Sequence, residues 1–401
     1  MIHKISFKNF FSFKEEVSIN FLVDGNAPDT DSYSTDKLGN KISKIMTVVG
    51  ANASGKTSLL RSVEFLKWFV TDSFSDLAPE EKIINHENFD QFIFCKDHNP
   101  SNFDLTFGLS DEVYRYKLEL LPERVLNEIL EVKGKTNRWN LIFSRKYNNE
   151  SNSYENDFSK LDLPSDFNKL VRVNSSVLSA AKQINNPDAV KITEYFSKIQ
   201  TSFDNIDASN GNCFRALFDV SKFYYENPVI LKKVEKMLCR FDLGISKLSI
   251  EEYEPTDSKK IYVPNAYHKV ANSDIEKPLI MHNESGGTRN LFILLKDIFT
   301  ALETGNTVIF DELDNNLHPL MVPEIVSLFN SKKHNPNNAQ LFFSTHNVQI
   351  LSELDKQQII ITEKEGNTSQ AWRLDDIEGV RVDENYYAKY LAGAYGGIPR
   401  F

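Results

Sequence analysis

The feature that most constrains this chain is an apolar run that leads directly into a loop with two glycines. Ile45–Val49 predicts a buried strand, and Gly50–Thr57, with the letters GANASGKT, follows at once. This spacing is that of the phosphate-binding loop GxxxxGK(S/T), in which backbone N–H groups turn toward bound phosphates. Its four specified positions should coincide by chance in only about one in a hundred chains of this length. The sequence therefore predicts a nucleotide site at the end of this strand.

The residues after the loop predict a helix whose N-terminus faces the phosphates. Apolar residues recur at helical spacing from Ser58 to Val70, and the partial positive charge at a helix start favours an anion there. Lys56 is expected to reach the β- and γ-phosphates, and the Thr57 hydroxyl is expected to ligate Mg²⁺. The residues predicted to bind nucleotide in this segment are Gly50, Asn52, Ser54, Gly55, Lys56, Thr57 and Ser58.

Two later apolar runs end in polar residues suited to phosphate chemistry. Thr307–Phe310 ends in Asp311 and Glu312, and Leu341–Phe343 is followed closely by His346. Strands separated by helices predict a parallel sheet, and ligands of such sheets bind beyond the carboxyl ends of the strands. We therefore expect these side chains to meet the phosphate-binding loop at one edge of the sheet.

The predicted chemistry at that edge is ATP hydrolysis. Asp311 is expected to hold Mg²⁺ through its water shell beside Thr57, and Glu312 to orient or deprotonate the attacking water. His346 is expected near the γ-phosphate, where an imidazole can sense or stabilise developing charge. Lys56, Glu312 and His346 are thus the predicted catalytic residues, and Thr57 and Asp311 the predicted metal ligands.

A second candidate anion site is Ser285-Gly286-Gly287, which precedes a helix predicted from about Leu291 to Leu302. A helix start can bind an anion, or the serine can be only an N-cap followed by flexible glycines. One chain needs only one triphosphate cradle. A second one indicates that these residues serve a nucleotide held by another subunit.

The remaining patterns predict an α/β fold with a mixed, mainly parallel sheet, an antiparallel β subdomain and an inserted helical domain. Alternation in Phe92–Phe94, Phe103–Phe107 and Tyr114–Leu120 indicates the antiparallel strands. Helical periodicity without obvious strands before Ile245 indicates the insert. The predicted parts are an N-terminal ATPase lobe (1–146), the inserted helical domain (147–244), a C-terminal ATPase lobe (245–375) and a tail (376–401).

Composition narrows the class of protein. With 41% apolar and 25% charged residues the chain is typical of a folded globule, and its three cysteines lack the spacing of a zinc site. A net charge of −10 provides no general attraction to nucleic acid. Neither a signal peptide nor a long apolar run is evident, so we expect a soluble cytoplasmic protein without a membrane partner.

Together these motifs resemble the ABC-type ATPase superfamily, in its soluble SMC, RecF and OLD-like branch. The opening Ile5–Phe10 and the tail Tyr390–Pro399 are similar to the AAA family-fifteen group of bacterial ATPases, which includes the RloA- and AbiL-type abortive-infection ATPases. The matching motifs are Walker A at Gly50–Thr57, the signature at Ser285–Gly287, Walker B at Thr307–Glu312, the D-loop at Asp314 and the switch histidine at His346.

The resemblance implies a P-loop ABC-type ATPase head that uses ATP and Mg²⁺. It implies a homodimer or higher homo-oligomer with composite ATP sites, in which Ser285 of one subunit caps the γ-phosphate held by Lys56 of the other. The implied function is that of a sensor or scaffold in bacterial anti-phage defence. Such a protein controls a separate nuclease or toxin effector through ATP-dependent assembly.

Some residues depart from the pattern of that superfamily. Glu284 stands where many relatives have an apolar residue, and Thr288 stands where transporters place glutamine. Gln91 is the candidate for the Q-loop glutamine. The alternative function is a RecF- or SMC-like DNA-repair ATPase that clamps DNA, for which DNA would be the partner. A transporter ATPase subunit and a binding module with an inactive site are further alternatives.

Overall fold

The computed structural model describes residues 1–23, 27–94, 99–134, 138–203, 213–241, 244–254 and 260–399. In chain order the strands are β1 (Ile2–Lys8), β2 (Val17–Asn20), β3 (Leu22–Val23), β4 (Tyr33–Thr35), β5 (Lys41–Ser43), β6 (Ile45–Gly50), β7 (Ser101–Leu109), β8 (Glu112–Leu121), β9 (Arg124–Lys133), β10 (Trp139–Asn148), β11 (Ser153–Asp157), β12 (Gln200–Thr201), β13 (Ile245–Tyr253), β14 (Ile261–Lys269), β15 (Glu276–Ile280), β16 (Thr307–Phe310), β17 (Gln340–Ser344), β18 (Ile359–Glu365) and β19 (Thr368–Arg373). The α-helices are α1 (Lys56–Thr71), α2 (Ser73–Asp76), α3 (Phe167–Leu170), α4 (Val177–Gln183), α5 (Pro187–Ser197), α6 (Cys213–Glu226), α7 (Pro228–Arg240), α8 (Gly286–Thr304), α9 (Met321–Asn330) and α10 (Tyr386–Leu391). No described helix is both long and apolar enough to cross a bilayer.

The predicted motifs converge on a six-stranded sheet with the order β12-β16-β17-β6-β18-β19. The first five strands are parallel, and β19 returns antiparallel to β18. Every residue of β16 and β17 is buried, as expected for strands covered on both faces. The prediction of an α/β P-loop fold with a mainly parallel sheet is confirmed.

Successive residues of strand β6 belong to two different hydrophobic cores. Met46 and Val48 join the core that contains α1 and the antiparallel sheet, whereas Ile45 and Val49 join the core that contains α8 and α9. This alternation follows from the period of two in a strand. The central sheet therefore separates two layers, and the phosphate-binding loop leaves it between them.

The antiparallel layer is a seven-stranded sheet with the order β11-β10-β9-β8-β7-β1-β2. Alternate residues of β7 are buried, which matches the predicted alternation. The prediction of a strand at Phe92–Phe94 is wrong, because the N–H of Phe92 donates to the Asn9 side chain (3.2 Å) and no strand forms there. Strand β9 was not predicted, because the charged residue Glu128 occupies one of its fully buried positions.

The segment 147–244 is not the strandless helical unit that its periodicity predicts. Strand β11 pairs with β10 at the sheet edge, and β12 lies parallel to β16. Strand β12 has only two residues, which is too short to leave a periodic pattern, so the sequence could not indicate it. Helices α4 and α5 pack in one core and α6 and α7 in the other. Residues 204–212 and 242–243 lie outside the described residues, and the four domain boundaries stay a prediction.

The predicted tail, 376–401, packs against the hairpin formed by β18 and β19. The Gly397 N–H donates to the Glu363 carboxylate at 3.4 Å, and the Tyr390 hydroxyl donates to the Gly397 carbonyl at 2.8 Å. A Cβ on Gly397 would lie 2.5 Å from the Ile361 side chain, so the tail contacts the strand closely. Residues 400 and 401 lie outside the described part of the chain.

Candidate active site

The phosphate-binding loop connects strand β6 to helix α1 through backbone conformations that require glycine. Gly55 has a φ of 109°, in the left-handed region that side chains disfavour. A Cβ on Gly50 would lie 2.3 Å from the Thr362 carbonyl oxygen. Both glycines of the motif are therefore fixed by sterics, and the loop has the strand-to-helix setting that the sequence predicts.

Lys56 lies at the mouth of this loop with its ammonium directed to the loop backbone. Its Nζ donates to the carbonyl oxygens of Gly50 and Ala51, both at 3.0 Å. Burial lowers the pKa of Lys56, and the neighbouring carboxylates Asp311 and Glu312 oppose that shift. A bound phosphate would offer this buried cation stronger acceptors than two carbonyl groups.

Thr57 and Asp311 meet as predicted. The Thr57 hydroxyl donates to Asp311 Oδ2 at 2.7 Å, and the Ser344 hydroxyl donates to Oδ1 at 2.5 Å. The Asp311 N–H donates to Ser202 Oγ at 2.9 Å, which fixes the start of this loop. A hydroxyl and a carboxylate that converge are the oxygen ligands Mg²⁺ prefers beside phosphates, so these residues fit that ion.

Glu312 and His346 form the polar pair at the ends of β16 and β17. His346 Nε2 lies 3.3 Å from Glu312 Oε1, and the Glu312 N–H donates to Ser344 Oγ at 2.8 Å. Glu312 has a φ of 50°, an uncommon conformation for a residue with a side chain. The His346 N–H donates to both carboxylate oxygens of Asp314, at 3.1 and 3.3 Å, so the predicted D-loop aspartate holds the histidine segment.

An open cleft of about 380 Å³ brings these groups together. The phosphate-binding loop lines it between two groups of residues. Glu312 and His346 follow β16 and β17 on one side of β6, whereas Lys364 belongs to β18 on the other side and Ser12 contacts Ser369 of β19. The complete lining is Ser12, Asn52, Ala53, Ser54, Gly55, Lys56, Thr57, Ser58, Glu312, His346 and Lys364. Six of the seven predicted loop residues, all but Gly50, and two of the three predicted strand-end residues thus line one cavity. Asp311 adjoins the cavity through Thr57.

Ser285 lies elsewhere in the fold, as the N-cap of helix α8. Its Oγ accepts from the Thr288 N–H at 3.1 Å, and a Cβ on Gly287 would lie 2.6 Å from the Asn316 carbonyl oxygen. Gly287 therefore packs on the loop that follows Asp314, and Ser285, Gly286 and Gly287 are not among the residues that line the cleft. Their predicted role toward a nucleotide on another subunit stays a prediction.

Gln91, the candidate Q-loop residue, is engaged within its own segment. Its Nε2 donates to the Asn99 carbonyl at 3.1 Å and to Ser101 Oγ at 3.2 Å. Gln91 does not belong to the lining of the cleft. A role toward the nucleotide stays a prediction for this side chain.

Several residues that shape the cleft were not predicted from the sequence. Ser344 bonds both Asp311 and Glu312, and Thr362 Oγ1 lies 2.6 Å from Ser54 Oγ of the phosphate-binding loop. Ser344 directly follows the predicted strand Leu341–Phe343, so its place at a strand end could have identified it as a residue of the site. Thr362 is separated from its partner by 308 positions, and nothing in the local sequence marks the contact.

A family model described as "AAA domain, putative AbiEii toxin, Type IV TA system" matches residues 45–352 of this chain. The match includes the phosphate-binding loop and both strand ends that line the cleft. A comparison with curated proteins finds no match.

Among solved structures, the SMC head domain from Thermotoga maritima is 14% identical with a TM-score of 0.42, over 93% of this chain and 98% of that chain. The Smc head domain with an extended coiled coil, bound to the C-terminal domain of ScpA and derived from Pyrococcus furiosus, is 16% identical with a TM-score of 0.44, over 93% and 96%. The recombination mediator protein RecF is 12% identical with a TM-score of 0.34, over 92% and 98%. All three are distant likenesses.

Proposed function

Since this chain belongs to the AAA-domain family whose description names the AbiEii toxin, we propose that it binds and hydrolyses ATP with Mg²⁺ as an ABC-type ATPase of the SMC- and RecF-like kind. One observation carries the proposal. The Thr57 hydroxyl meets the Asp311 carboxylate at 2.7 Å, which joins the phosphate-binding loop to a strand end 254 positions away. This contact supports a metal site at Thr57 and Asp311, because Thr57 lines the same cleft as Lys56, Glu312 and His346.

Each side chain has a defined part in the proposed reaction. Lys56 exchanges two backbone carbonyls for oxygens of the β- and γ-phosphates, which neutralises charge where the bond breaks. Glu312 orients the attacking water, and His346 holds the Glu312 carboxylate in place from 3.3 Å. Mg²⁺, held by Thr57 and Asp311, would supply further charge neutralisation on the phosphate oxygens.

The proposal includes assembly through ATP. Ser285 caps a helix of 19 residues and lies outside the cleft of its own chain. Ser285 and Gly286 are exposed, so this helix start is accessible to a second copy. In the proposed dimer this helix start meets the γ-phosphate held by the other subunit. ATP then bridges the two chains, and hydrolysis separates them.

The assembly is tested with Glu312→Gln, which should keep ATP unhydrolysed. Light scattering should show a change from monomer to dimer when ATP and Mg²⁺ are added. Adding Ser285→Asp retains a good N-cap but places a negative charge toward the phosphate, so this double variant should remain monomeric with ATP. An unchanged mass of Glu312→Gln, or a dimer of the double variant, would contradict the composite site.

We further propose that the ATPase acts as a sensor or scaffold in bacterial anti-phage defence and controls a separate effector. The support is the family description, which names a toxin of a toxin–antitoxin system. Cells that express the chain with its genomic neighbours should lose protection against phage when Lys56→Ala is introduced. Unchanged protection would contradict the role.

Strong, salt-dependent binding of duplex DNA by the purified chain would instead favour the alternative function, a DNA-clamping ATPase. A net charge of −10 opposes such binding.

A further inference from the structure

The hairpin of β18 and β19 borders the cleft on the side where no residue has been given a role in the proposed hydrolysis. In the central sheet, β17 and β16 lie on one side of β6 and carry His346 and Glu312 at their ends. Strand β18 lies on the other side of β6 and carries Lys364. The phosphate-binding loop emerges between these two sides, so a ligand across the loop has one end near each of them.

Three contacts fix this hairpin against the residues that line the cleft. Thr362 Oγ1 lies 2.6 Å from Ser54 Oγ, and the Ser369 hydroxyl donates to Ser12 Oγ at 2.8 Å. A Cβ on Gly55 would lie 2.8 Å from Ser369 Oγ, so the hairpin also packs directly on the loop. The position of Lys364 relative to the phosphate-binding loop is therefore set by the fold.

The direction of the Lys364 side chain follows from the period of the strand. Residues two apart on a strand share a face, so Lys364 lies on the face from which Thr362 contacts the loop. Glu363 lies on the opposite face, where its carboxylate accepts from the Gly397 N–H. The Lys364 side chain is exposed and lines the cleft, whereas its backbone pairs with Ser369 in the ladder between β18 and β19. The side chain forms no hydrogen bond or ion pair with the described part of the chain.

We propose that Lys364 binds the α-phosphate and ribose end of the nucleotide, an inference that rests on the proposed ATP site. The hydrolytic residues Glu312 and His346 require the γ-phosphate on their side of the loop. The opposite end of the same molecule then reaches the hairpin, where Lys364 is a cation without a competing acceptor among the described residues. A charged donor facing phosphate and sugar oxygens gives a stronger bond than a neutral one.

The placement predicts which nucleotides depend on Lys364. ATP and ADP share the α-phosphate and ribose, so Lys364→Ala should raise the Kd of both by the same factor, about tenfold. Lys364→Arg keeps the charge and should restore most of the affinity. The ratio of the Kd for ADP to the Kd for ATP reports the contribution of the γ-phosphate. This ratio should be the same in Lys364→Ala as in the unmodified chain.

Equilibrium titration with ATP and with ADP, in the presence of Mg²⁺, tests this inference. Lys333→Ala is the matched control, because Lys333 is an exposed lysine outside the lining of the cleft. Unchanged Kd values for Lys364→Ala would overturn the inference, and so would a loss confined to ATP, which would place Lys364 at the γ-phosphate. If the unmodified chain bound neither nucleotide, the proposed function itself would fail. Binding by the unmodified chain together with an unaffected Lys364→Ala would refute only the role of Lys364.

Discussion

The two sides of strand β6 differ in how they serve the cleft. On the side of β16 and β17, the Glu312 carboxylate lies within hydrogen-bond reach of the His346 imidazole, and the Asp311 carboxylate accepts from the Ser344 hydroxyl. On the side of β18 and β19, hydroxyl groups and close backbone packing hold a hairpin against the loop, and one lysine faces the cavity. From this difference we infer a division of roles, in which the first side would act on the γ-phosphate and the second would position the rest of the nucleotide.

The largest effect is expected at the loop that both sides share. Lys56→Ala removes the cation for the β- and γ-phosphates and should weaken ATP binding by roughly a hundredfold or more. Isothermal titration measures the loss, and circular dichroism verifies that the variant is folded. Lys364→Ala provides the comparison, with its smaller, tenfold effect. Unchanged ATP affinity in Lys56→Ala would refute the nucleotide site.

Glu312→Gln separates chemistry from binding on the first side. Loss of the group that orients water should slow ATP turnover on the order of a hundredfold while ATP affinity is retained. A phosphate-release assay measures the rate. Glu365→Gln makes the same substitution at an exposed residue of the hairpin and should leave turnover unchanged. Equal rates for Glu312→Gln and the unmodified chain would remove Glu312 from the reaction.

Gly50→Ala tests how tightly the second side packs against the loop. The new Cβ would lie 2.3 Å from the Thr362 carbonyl oxygen and 2.7 Å from Ser54 Oγ, so β6 and β18 must separate. We expect a loss of about 1–3 kcal/mol in the free energy of unfolding, with weaker ATP binding. Chemical denaturation measures it. Gly134→Ala is the control, since a Cβ there meets no atom within 4 Å, and an equal loss in both variants would contradict the account.

Thr362→Val should give the smallest effect. It removes the hydroxyl that meets Ser54 Oγ but keeps the shape of the side chain, so the expected loss in unfolding free energy is about 1 kcal/mol. ATP affinity should fall slightly while the turnover of bound ATP is unchanged. Thr368→Val, on the neighbouring strand, is the matched control. A turnover rate that falls without a change in affinity would mean that the hairpin acts on chemistry.

The side of the cleft formed by β16 and β17 was predictable, because its polar residues directly follow apolar runs that the sequence identifies as strands. The loop at Gly50–Thr57 and the pair Asp311-Glu312 each follow an apolar run directly, and parallel strands place such ends together. The positioning side was not predictable in the same way. The contact between Ser54 and Thr362 joins two ordinary hydroxyl residues across 308 positions, and Lys364 is one exposed lysine in a charged stretch.

The errors in the predicted fold have separate physical causes. Strand β9 was missed because Glu128 lies in the core, where it accepts from Tyr116 and the Val177 N–H and pairs with Arg145. Hydrogen bonds from residues distant in sequence offset the cost of burying that charge, and no local sequence pattern indicates these bonds. Strand β12 has two residues and exists because it adds to an edge already formed by β16.

The most direct test of the central claim is to identify the nucleotide that remains on Glu312→Gln. The purified variant is incubated with ATP and Mg²⁺, passed rapidly through a desalting column, and its bound nucleotide is analysed by chromatography. Because this variant keeps every proposed nucleotide-binding group and lacks only the group that orients water, we expect to recover ATP bound to the protein. Recovery of ADP, or of protein without nucleotide, would contradict the division between a positioning side and a chemical side.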